Sequence, residues 1–324
     1  MTSLIITNGD SAADLLNAAG KQGVIEPWRD CLHLGPVPAT DSDADLRNIR
    51  AAYLADMSDR DKAEILTELE ARDGLFEMHK KFDTIELWFE HDLFDQLQLI
   101  QILDMLAIHG RLENVFLVQA ETYLGMKTPD NILDLADLTQ PVSKTMVADA
   151  RGVWAAFRES DPKDFAACFQ LKYPEMPHLR LAIGRMLEEL PGIDGLNRTE
   201  RQILFSIQRG VTRPGPLFAR TMAMEEGAFW GDTGFFALLS KLATGTIPLF
   251  NGLSEPFTPS LLEDDERRKT FITSEIELTD AGEAVLAGDK DHADINQIDT
   301  WIGGTHVTND NLWRWDPAKR TLTT

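Results

Sequence analysis

The sequence predicts an α/β protein with a small parallel-sheet, Rossmann-like N-terminal domain, a helical connector, a winged-helix-like domain and a Trp-rich terminal hairpin. Short apolar runs alternate with helical patterns over the first 120 residues, which is typical of a parallel sheet covered on both faces. Three helical segments and two extended ones follow each other between residues 196 and 288. Three of the seven tryptophans lie between residues 291 and 315. We therefore place four parts at residues 1–140, 141–195, 196–288 and 289–324.

The N-terminal part contains four predicted strands and four predicted helices. The strands are expected at 4–7, 23–26, 84–89 and 114–118, and the helices at 11–19, 43–57, 59–72 and 93–109. Gly20 is expected to end the first helix. In the connector, helices are predicted at 143–157 and 178–190, and they carry enough apolar residues to pack rather than to act as a flexible linker.

The third part has the element order of a winged helix. Capping-box spacing from Thr199 to Gln202 opens a helix that runs through Ile207, and Pro214 starts a second. Asp232 or Thr233 is expected to cap a third helix at 234–243. Extended segments are predicted at 247–250 and 271–278, and a last helix at 279–286.

The sequence of the tail, residues 289–324, predicts a β-hairpin with an Asn/Asp turn at 309–311. Exposed tryptophans are costly, so we expect the tail to pack on the body of the protein. One alternative places it on the α/β domain near His33 and Glu90, where His306 and Arg314 would add polar groups. The other alternative is that it covers only the neighbouring winged-helix region.

The charge balance disfavours two classes of partner. The 324 residues carry 31 Lys and Arg against 53 Asp and Glu, a formal net charge of −22, which disfavours nucleic acids and anionic membranes. Two cysteines, Cys31 and Cys168, cannot form a disulfide framework or a Cys-based zinc site. The sequence has no apolar run of membrane-spanning length and begins without a signal-peptide pattern. We expect a cytoplasmic protein with no membrane partner; its oligomeric state stays open.

Polar side chains follow three of the predicted strands. Because the carboxyl ends of parallel strands meet at one edge of a sheet, we expect these residues to line one cleft. The candidate catalytic residues are Asp10, Asp30, His33, Glu90, His91 and Asp92. The candidate ligand-binding residues are Asn8, Gly9, Ser11, Arg29 and Gln96.

Each group of candidates has a structural alternative. Residues 8–11 either form an anion seat at a helix N-terminus or only a turn with an N-cap. Arg29 is either a phosphate or carboxylate clamp or the ion-pair partner of Asp30. His33 is either a site residue or an ordinary loop histidine.

The segment 90–92 is the densest of these motifs. Asp92 and Asp95 suit the positive end of a helix dipole, whereas a histidine there is expected to be neutral and suited to general-base or metal-ligand chemistry. A divalent metal is one open possibility. The residues are contiguous, so we do not expect all of them to face one ion.

Several of these motifs resemble an uncharacterised bacterial family catalogued as domain of unknown function 1835. The matching segments are TNGDSA at 7–12, PWRD at 27–30, HLGPV at 33–37 and WFEHDLFDQL at 88–97. The resemblance continues through LNRTERQIL at 196–204, GDT at 231–233, WIGG at 301–304 and WRW at 313–315, and so covers most of the chain. It implies an α/β domain followed by helical and winged-helix parts, and it implies no activity.

Three functional hypotheses follow. The first is a protein whose α/β domain binds a small phosphorylated or otherwise anionic ligand, with hydrolysis of a phosphoester as an open option. The second is a ligand-sensing winged-helix transcription regulator, and the third a non-catalytic interaction scaffold. Residues 197–288 hold nine basic and thirteen acidic residues, and the predicted recognition helix at 235–242 offers few groups for base edges, which disfavours the regulator. The density of titratable groups at the strand ends disfavours the scaffold.

Overall fold

A computed structural model describes residues 2–324, and its centre is a five-stranded sheet. The strands are β1 (Ser3–Thr7), β2 (Val24–Pro27), β3 (Thr84–Phe89), β4 (Val115–Gln119) and β5 (Gln140–Pro141). Their order is β2-β1-β3-β4-β5; the first four are parallel and β5 runs antiparallel to β4 at the edge. The small, mostly parallel α/β sheet predicted from the sequence is confirmed, and the antiparallel edge strand was not predicted.

Helices cover both faces of this sheet. They are α1 (Asp10–Ala18), α2 (Asp43–Ser58), α3 (Lys62–Glu77) and α4 (Leu93–Ile108). Side chains alternate along β1, so that Ile5 packs with Leu16 of α1 while Leu4 and Ile6 share a core with Leu97 of α4. The helices α1 and α4 therefore lie on opposite faces of the sheet.

The connector packs on α4 rather than away from it. It contains α5 (Lys144–Phe157), α6 (Lys163–Cys168) and α7 (Leu179–Leu187), of which α6 was not predicted. Residues Met146, Trp154 and Ile183 belong to the same apolar core as α4 and the sheet. Twelve of the 16 residues of α4 are buried because the sheet lies on one side of this helix and the connector on the other.

A second core holds the next part of the chain together. Its elements are α8 (Arg198–Gln208), α9 (Pro214–Met222), α10 (Asp232–Thr244), β6 (Phe250–Asn251), α11 (Asp265–Thr273), β7 (Glu277–Leu278) and α12 (Asp280–Ala287). The strands β6 and β7 form a two-residue antiparallel pair. The last helix begins as predicted, with Thr279 Oγ1 accepting from Gly282 N. A short helix, α13 (His292–Ile295), follows.

Three local predictions in this region are wrong. The capping box pairs Asn197 with Glu200, whereas Thr199 is buried inside the helix. Gly231 is the N-cap of α10, because the helix already begins at Asp232. The segment expected to be extended at 271–278 starts inside α11, where Phe271 is fully buried in the second core.

The tail forms two hairpins instead of one. The first pairs β8 (Asp299–Ile302) with β9 (Thr305–Thr308), and the second pairs β10 (Arg314–Asp316) with β11 (Thr321–Thr323). The first turn is at Gly303 and Gly304 and not at 309–311 as predicted. Gly303 has φ 59°, and both glycines lie so close to the carbonyl oxygens at the end of α5 that a Cβ at either position would clash.

The tail packs on the body of the protein, as expected for its tryptophans. Trp315 is buried in the main core, and its backbone N–H donates to Pro191 O. The first hairpin contacts the α/β domain, where Val37 N donates to Gly303 O at 2.7 Å. His306 pairs with Asp299 and Arg314 with Asp291, so neither of these tail side chains joins His33 or Glu90.

Within residues 2–324, no helix combines the length and the apolar character needed to cross a bilayer.

Candidate functional site

The carboxyl ends of β1 and β3 lie side by side at the point where the strand order reverses. From β1 the chain passes through α1 to β2 on one side, and from β3 it passes through α4 to β4 on the other side. Such a reversal opens a crevice between the two connections. Asn8 and Glu90 come directly after these two strands, and the amide of Asn8 reaches across the junction to donate to Asp95 Oδ2 at 2.9 Å.

Three buried carboxylates lie at this junction; we name Glu90, Asp92 and Asp95 the carboxylate cluster. One oxygen from each lies within 4.8 Å of the others. Local chain geometry brings them together, because Asp92 caps α4 by accepting from Asp95 N at 3.0 Å. Asp95 in turn accepts from Glu90 N at 2.5 Å, and Glu90 Oε1 accepts from Leu124 N at 2.6 Å.

The electrostatics of the carboxylate cluster are unusual. Burial is the first cause that raises the pKa of all three carboxyls, to about 7 for Asp92. The charge of Glu90 raises the pKa of Asp92 further, and the charges of Asp92 and Glu90 both raise that of Asp95. All hydrogen-bond donors seen at the cluster are neutral amides, and no Lys, Arg or His of residues 2–324 forms an ion pair with it. Its charge must therefore be balanced by protons or by a bound cation.

The donor set fits a hard divalent cation. Mg²⁺, Mn²⁺ and Ca²⁺ prefer oxygen ligands. Bond lengths of about 2.1–2.4 Å allow two such oxygens to lie at most about 4.2–4.8 Å apart, which agrees with the spacing in the cluster. As expected, not all of the contiguous residues 90–92 face one point; Glu90 and Asp92 do, because the capping turn at the start of α4 brings their side chains together. His91 is not part of the group; its ring lies 5.2 Å from that of Tyr123 and 6.0 Å from that of His178.

A segment from the C-terminal half of the chain covers the cluster. Gly227 lies against Asp92 and His91, and a Cβ at this position would come to 3.0 Å from Asp92 Cβ. Ala228 N donates to the hydroxyl of Tyr123 at 2.5 Å. The candidate site is thus formed by the sheet edge and closed by the segment that leads into α10. Gln96 holds the backbone of the site in place, since its side-chain amide donates to the backbone oxygen of Glu90 at 2.7 Å.

Residues at the start of α1 lie at the exposed rim of the same junction. No side chain caps α1, so its first N–H groups remain available. Asp10 and Ser11 are exposed. Arg29 reaches Asp10 from the end of β2, with Nη2 to Oδ1 at 2.8 Å. Gly9, Asp10, Ser11 and Arg29 therefore lie where an anion could approach the sheet edge from solvent.

Asp30 has a different role from the one predicted. Its partner is Arg50 and not Arg29, with Nη2 to Oδ1 at 2.6 Å, and the exposed fractions of the two side chains are 1% and 2%. Arg50 also donates to the backbone oxygens of Cys31, Leu34 and Pro36. The ion pair and the hydrogen bonds from Arg50 to the backbone oxygens hold the loop after β2 in place, so Asp30 has a structural role there.

His33 also lies apart from the carboxylate cluster. Three aromatic rings, those of Phe94, Phe229 and Trp230, surround it edge-on with centroid distances of 5.0–5.9 Å. Burial lowers the pKa of His33 to about 3, and neither ring nitrogen has a hydrogen-bond partner among the described residues. The imidazole is therefore neutral at physiological pH. It forms part of the wall between two cavities, of about 260 and 500 Å³, at the junction with the C-terminal half.

The structure divides the predicted cleft. It brings together Asn8, Glu90 and Asp92, places Gly9, Asp10, Ser11 and Arg29 at their rim, and separates Asp30 and His33 from them. Asp95, which the sequence marked only as suited to a helix dipole, belongs to the cluster; its position three residues after Asp92 was the available signal. The sequence held no signal for Arg50, because its pairing with Asp30 depends on how α2 packs.

Comparison of the sequence with protein-family models finds no match, and comparison with curated proteins finds none either. The resemblance to domain of unknown function 1835 therefore stays a prediction.

Proposed function

We propose that the α/β domain binds a divalent cation and a small phosphorylated ligand at the junction of β1 and β3, and that hydrolysis of a phosphoester is the reaction supported there. The observation that carries this proposal is the carboxylate cluster: Glu90, Asp92 and Asp95 are buried together with no protein cation among the described residues. Burying several like charges without compensation is costly, and a divalent cation would remove that cost.

The rim supplies the groups that would hold the phosphate. The N–H groups at the start of α1 carry the positive end of the helix dipole, and Arg29 offers a guanidinium beside them. A cation bound by carboxylates would polarise the phosphoryl oxygens and lower the pKa of a bound water, which is the chemistry that hydrolysis needs. The segment at Gly227 leaves little room above Asp92, which favours a small ligand. We interpret the sheet as Rossmann-like and place the protein in the cytoplasm as parts of the same proposal.

Calorimetric titration with Mn²⁺ tests the cation site. Wild-type protein is expected to bind Mn²⁺ saturably, and Asp92→Asn is expected to weaken binding at least about tenfold, a loss of about 1.4 kcal/mol. Asparagine caps helices as well as aspartate does, so this variant keeps α4 intact while it removes the charge. Asp61→Asn is the matched control, because Asp61 caps α3 in the same way but is exposed and is not part of the cluster.

Two outcomes would count against the proposal. If neither Mn²⁺, Mg²⁺ nor Ca²⁺ binds to wild-type protein, or if both asparagine variants bind equally well, the cluster is not a cation site. Release of phosphate from p-nitrophenyl phosphate, with the cation and with excess EDTA, then tests hydrolysis separately. Cation binding without phosphate release would support the cation site and contradict hydrolysis of that ester.

The winged-helix-like part at residues 196–288 is better suited to packing on the α/β domain than to binding DNA. Residues Gly234, Ala237 and Lys241 of α10 line the cavity that also contains His33, so the expected recognition helix faces inward. In the basic run at 267–269, Arg267 pairs with Glu255 and Arg268 with Asp265. Neutralised arginines contribute little to phosphate binding. We therefore expect no saturable binding of duplex DNA in a gel-shift assay at physiological salt.

A further inference from the structure

A second cavity lies apart from the carboxylate cluster, between the α/β domain and the segment that leads into α10. Its volume is about 500 Å³, within the range of small-molecule sites. Its apolar wall comes from α2, α3, the loop after β2 and the C-terminal half: Leu34, Leu54, Met57, Ile65, Leu69 and Phe229. A ligand that filled it would bury an apolar body.

Six charged side chains border this cavity, and most of them already have partners. Arg29 pairs with Asp10, and Arg60 pairs with Glu68. Burial raises the pKa of Glu26, while the charges of Arg29 and Arg72 lower it. Asp232 is exposed.

Arg72 also has a charged partner, but one of its nitrogen donors is left without an acceptor. Its side chain is 5% exposed, stacks on the ring of Trp28 at 3.9 Å, and uses Nε and Nη2 to bind Asp73. Its Nη1 is buried and has no hydrogen-bond partner among residues 2–324. An unpaired guanidinium nitrogen in such a position is costly unless a ligand or a water accepts from it.

We propose that this cavity binds an organic acid with an apolar body, whose carboxylate accepts a hydrogen bond from Arg72 Nη1. The apolar wall selects the body, and the open guanidinium donor of Arg72 selects one anionic group. The bound acid would touch both α3 and Phe229, and so link the two halves of the chain. A neighbouring cavity of about 20 Å³, which Arg72 also lines, is large enough for one water, which is the competing partner for Nη1.

Calorimetry with decanoate tests this inference, with 1-decanol as the uncharged control. Measurements in EDTA keep the result independent of the carboxylate cluster, so a failure here would leave the proposed cation site untouched. We expect decanoate to bind with a Kd below about 1 mM and at least about tenfold more tightly than decanol. Arg72→Lys, which keeps the charge but loses Nη1, is expected to remove most of that difference.

A variant that fills the cavity provides a second test if Arg72→Lys does not fold. Met57→Trp is expected to weaken decanoate binding at least about tenfold, whereas Met126→Trp, at a site 79% exposed and outside the cavity, should leave it unchanged. The inference is overturned if decanoate does not bind, if decanol binds equally well, or if Met57→Trp has no effect. It is also overturned if folded Arg72→Lys keeps the full preference for the acid, because a water would then be the partner of Nη1.

Discussion

Buried carboxylates follow two strands of the same sheet, and their surroundings differ in one respect. Asp30, which lies after β2, accepts from the guanidinium of Arg50 at 2.6 Å, and both side chains are almost wholly buried. The carboxylate cluster, which lies after β3, meets only neutral amide donors. From the sequence alone, both groups looked like members of one catalytic cleft.

The difference shows that compensation, rather than burial, distinguishes a structural acid from a candidate functional one. A buried ion pair with all its hydrogen bonds made is self-sufficient, and its removal mainly affects folding. Several buried acids without a cation remain poised to bind protons or metal. If this distinction is right, variants at Asp30 and at the cluster should respond differently to pH and cations.

The largest expected effect is at Asp30. Asp30→Asn leaves the Arg50 charge buried without its partner, so we expect the free energy of unfolding to fall by about 3–5 kcal/mol. Urea denaturation followed by circular dichroism measures this change. Asp265→Asn, in the exposed pair with Arg268, is the control and should cost less than about 1 kcal/mol. A loss below about 1 kcal/mol at Asp30 would contradict a structural role for this pair.

The next effect is a pH dependence that the cluster should produce in cation-free protein. The pKa of Asp92 is raised to about 7 in the folded state, so between about pH 4 and 7 the folded protein holds more protons than the unfolded chain. Protonated Asp92 therefore contributes to the free energy of unfolding at low pH, and this contribution is lost as the pH rises towards 7. In Asp92→Asn, the decrease between pH 5 and 8 should be smaller by on the order of 2–4 kcal/mol.

Glu200 provides the control for this measurement. Burial raises its pKa to about 7 as well, but it lies in the capping box of α8 and outside the cluster. Glutamine preserves such a box, so Glu200→Gln should also reduce the pH dependence. Only the Asp92 variant should lose the stabilisation that Mn²⁺ adds at pH 8. Equal cation responses in the two variants would show that the cluster does not bind the ion.

The sheet was predictable because its strands and helices carry local signals. The run at 84–89 is rich in apolar, β-branched and aromatic residues, and it forms β3 with the predicted bounds. The two-residue strand β5 has no such signal, because Gln140 and Pro141 are extended only through their pairing with β4. The wrong turn in the tail has a similar cause: 309–311 carries turn-forming residues, but the contact of Gly303 and Gly304 with the end of α5 decided where the hairpin turns.

The site was predictable only where its residues are close in sequence or directly follow neighbouring strands. Asp92 and Asp95 are joined by a capping turn, and the strand-end rule predicted that Asn8 lies at the end of β3, where it donates to Asp95. The partners of Asp30 and His33 come from elements distant in the chain, α2 and the segment before α10. Nothing in the local pattern of residues 29–33 could distinguish a compensated acid and an enclosed histidine from site residues.

The smallest expected effect on stability is at the rim. It tests whether an exposed salt bridge stabilises the fold less than the buried pair of Asp30 and Arg50. Asp10 and Arg29 form a salt bridge like that of Asp30 and Arg50, but their side chains are 63% and 48% exposed. Solvent screens such a pair, so Asp10→Asn should lower the free energy of unfolding by only about 0.2–1 kcal/mol. A double-mutant cycle with Arg29→Gln, measured at low and high salt, isolates the pair from the rest of the junction. A coupling energy that shrinks with salt would agree with a solvated rim held ready for an anion, whereas a salt-independent coupling above about 2 kcal/mol would mean that the rim pair is as structural as the buried one.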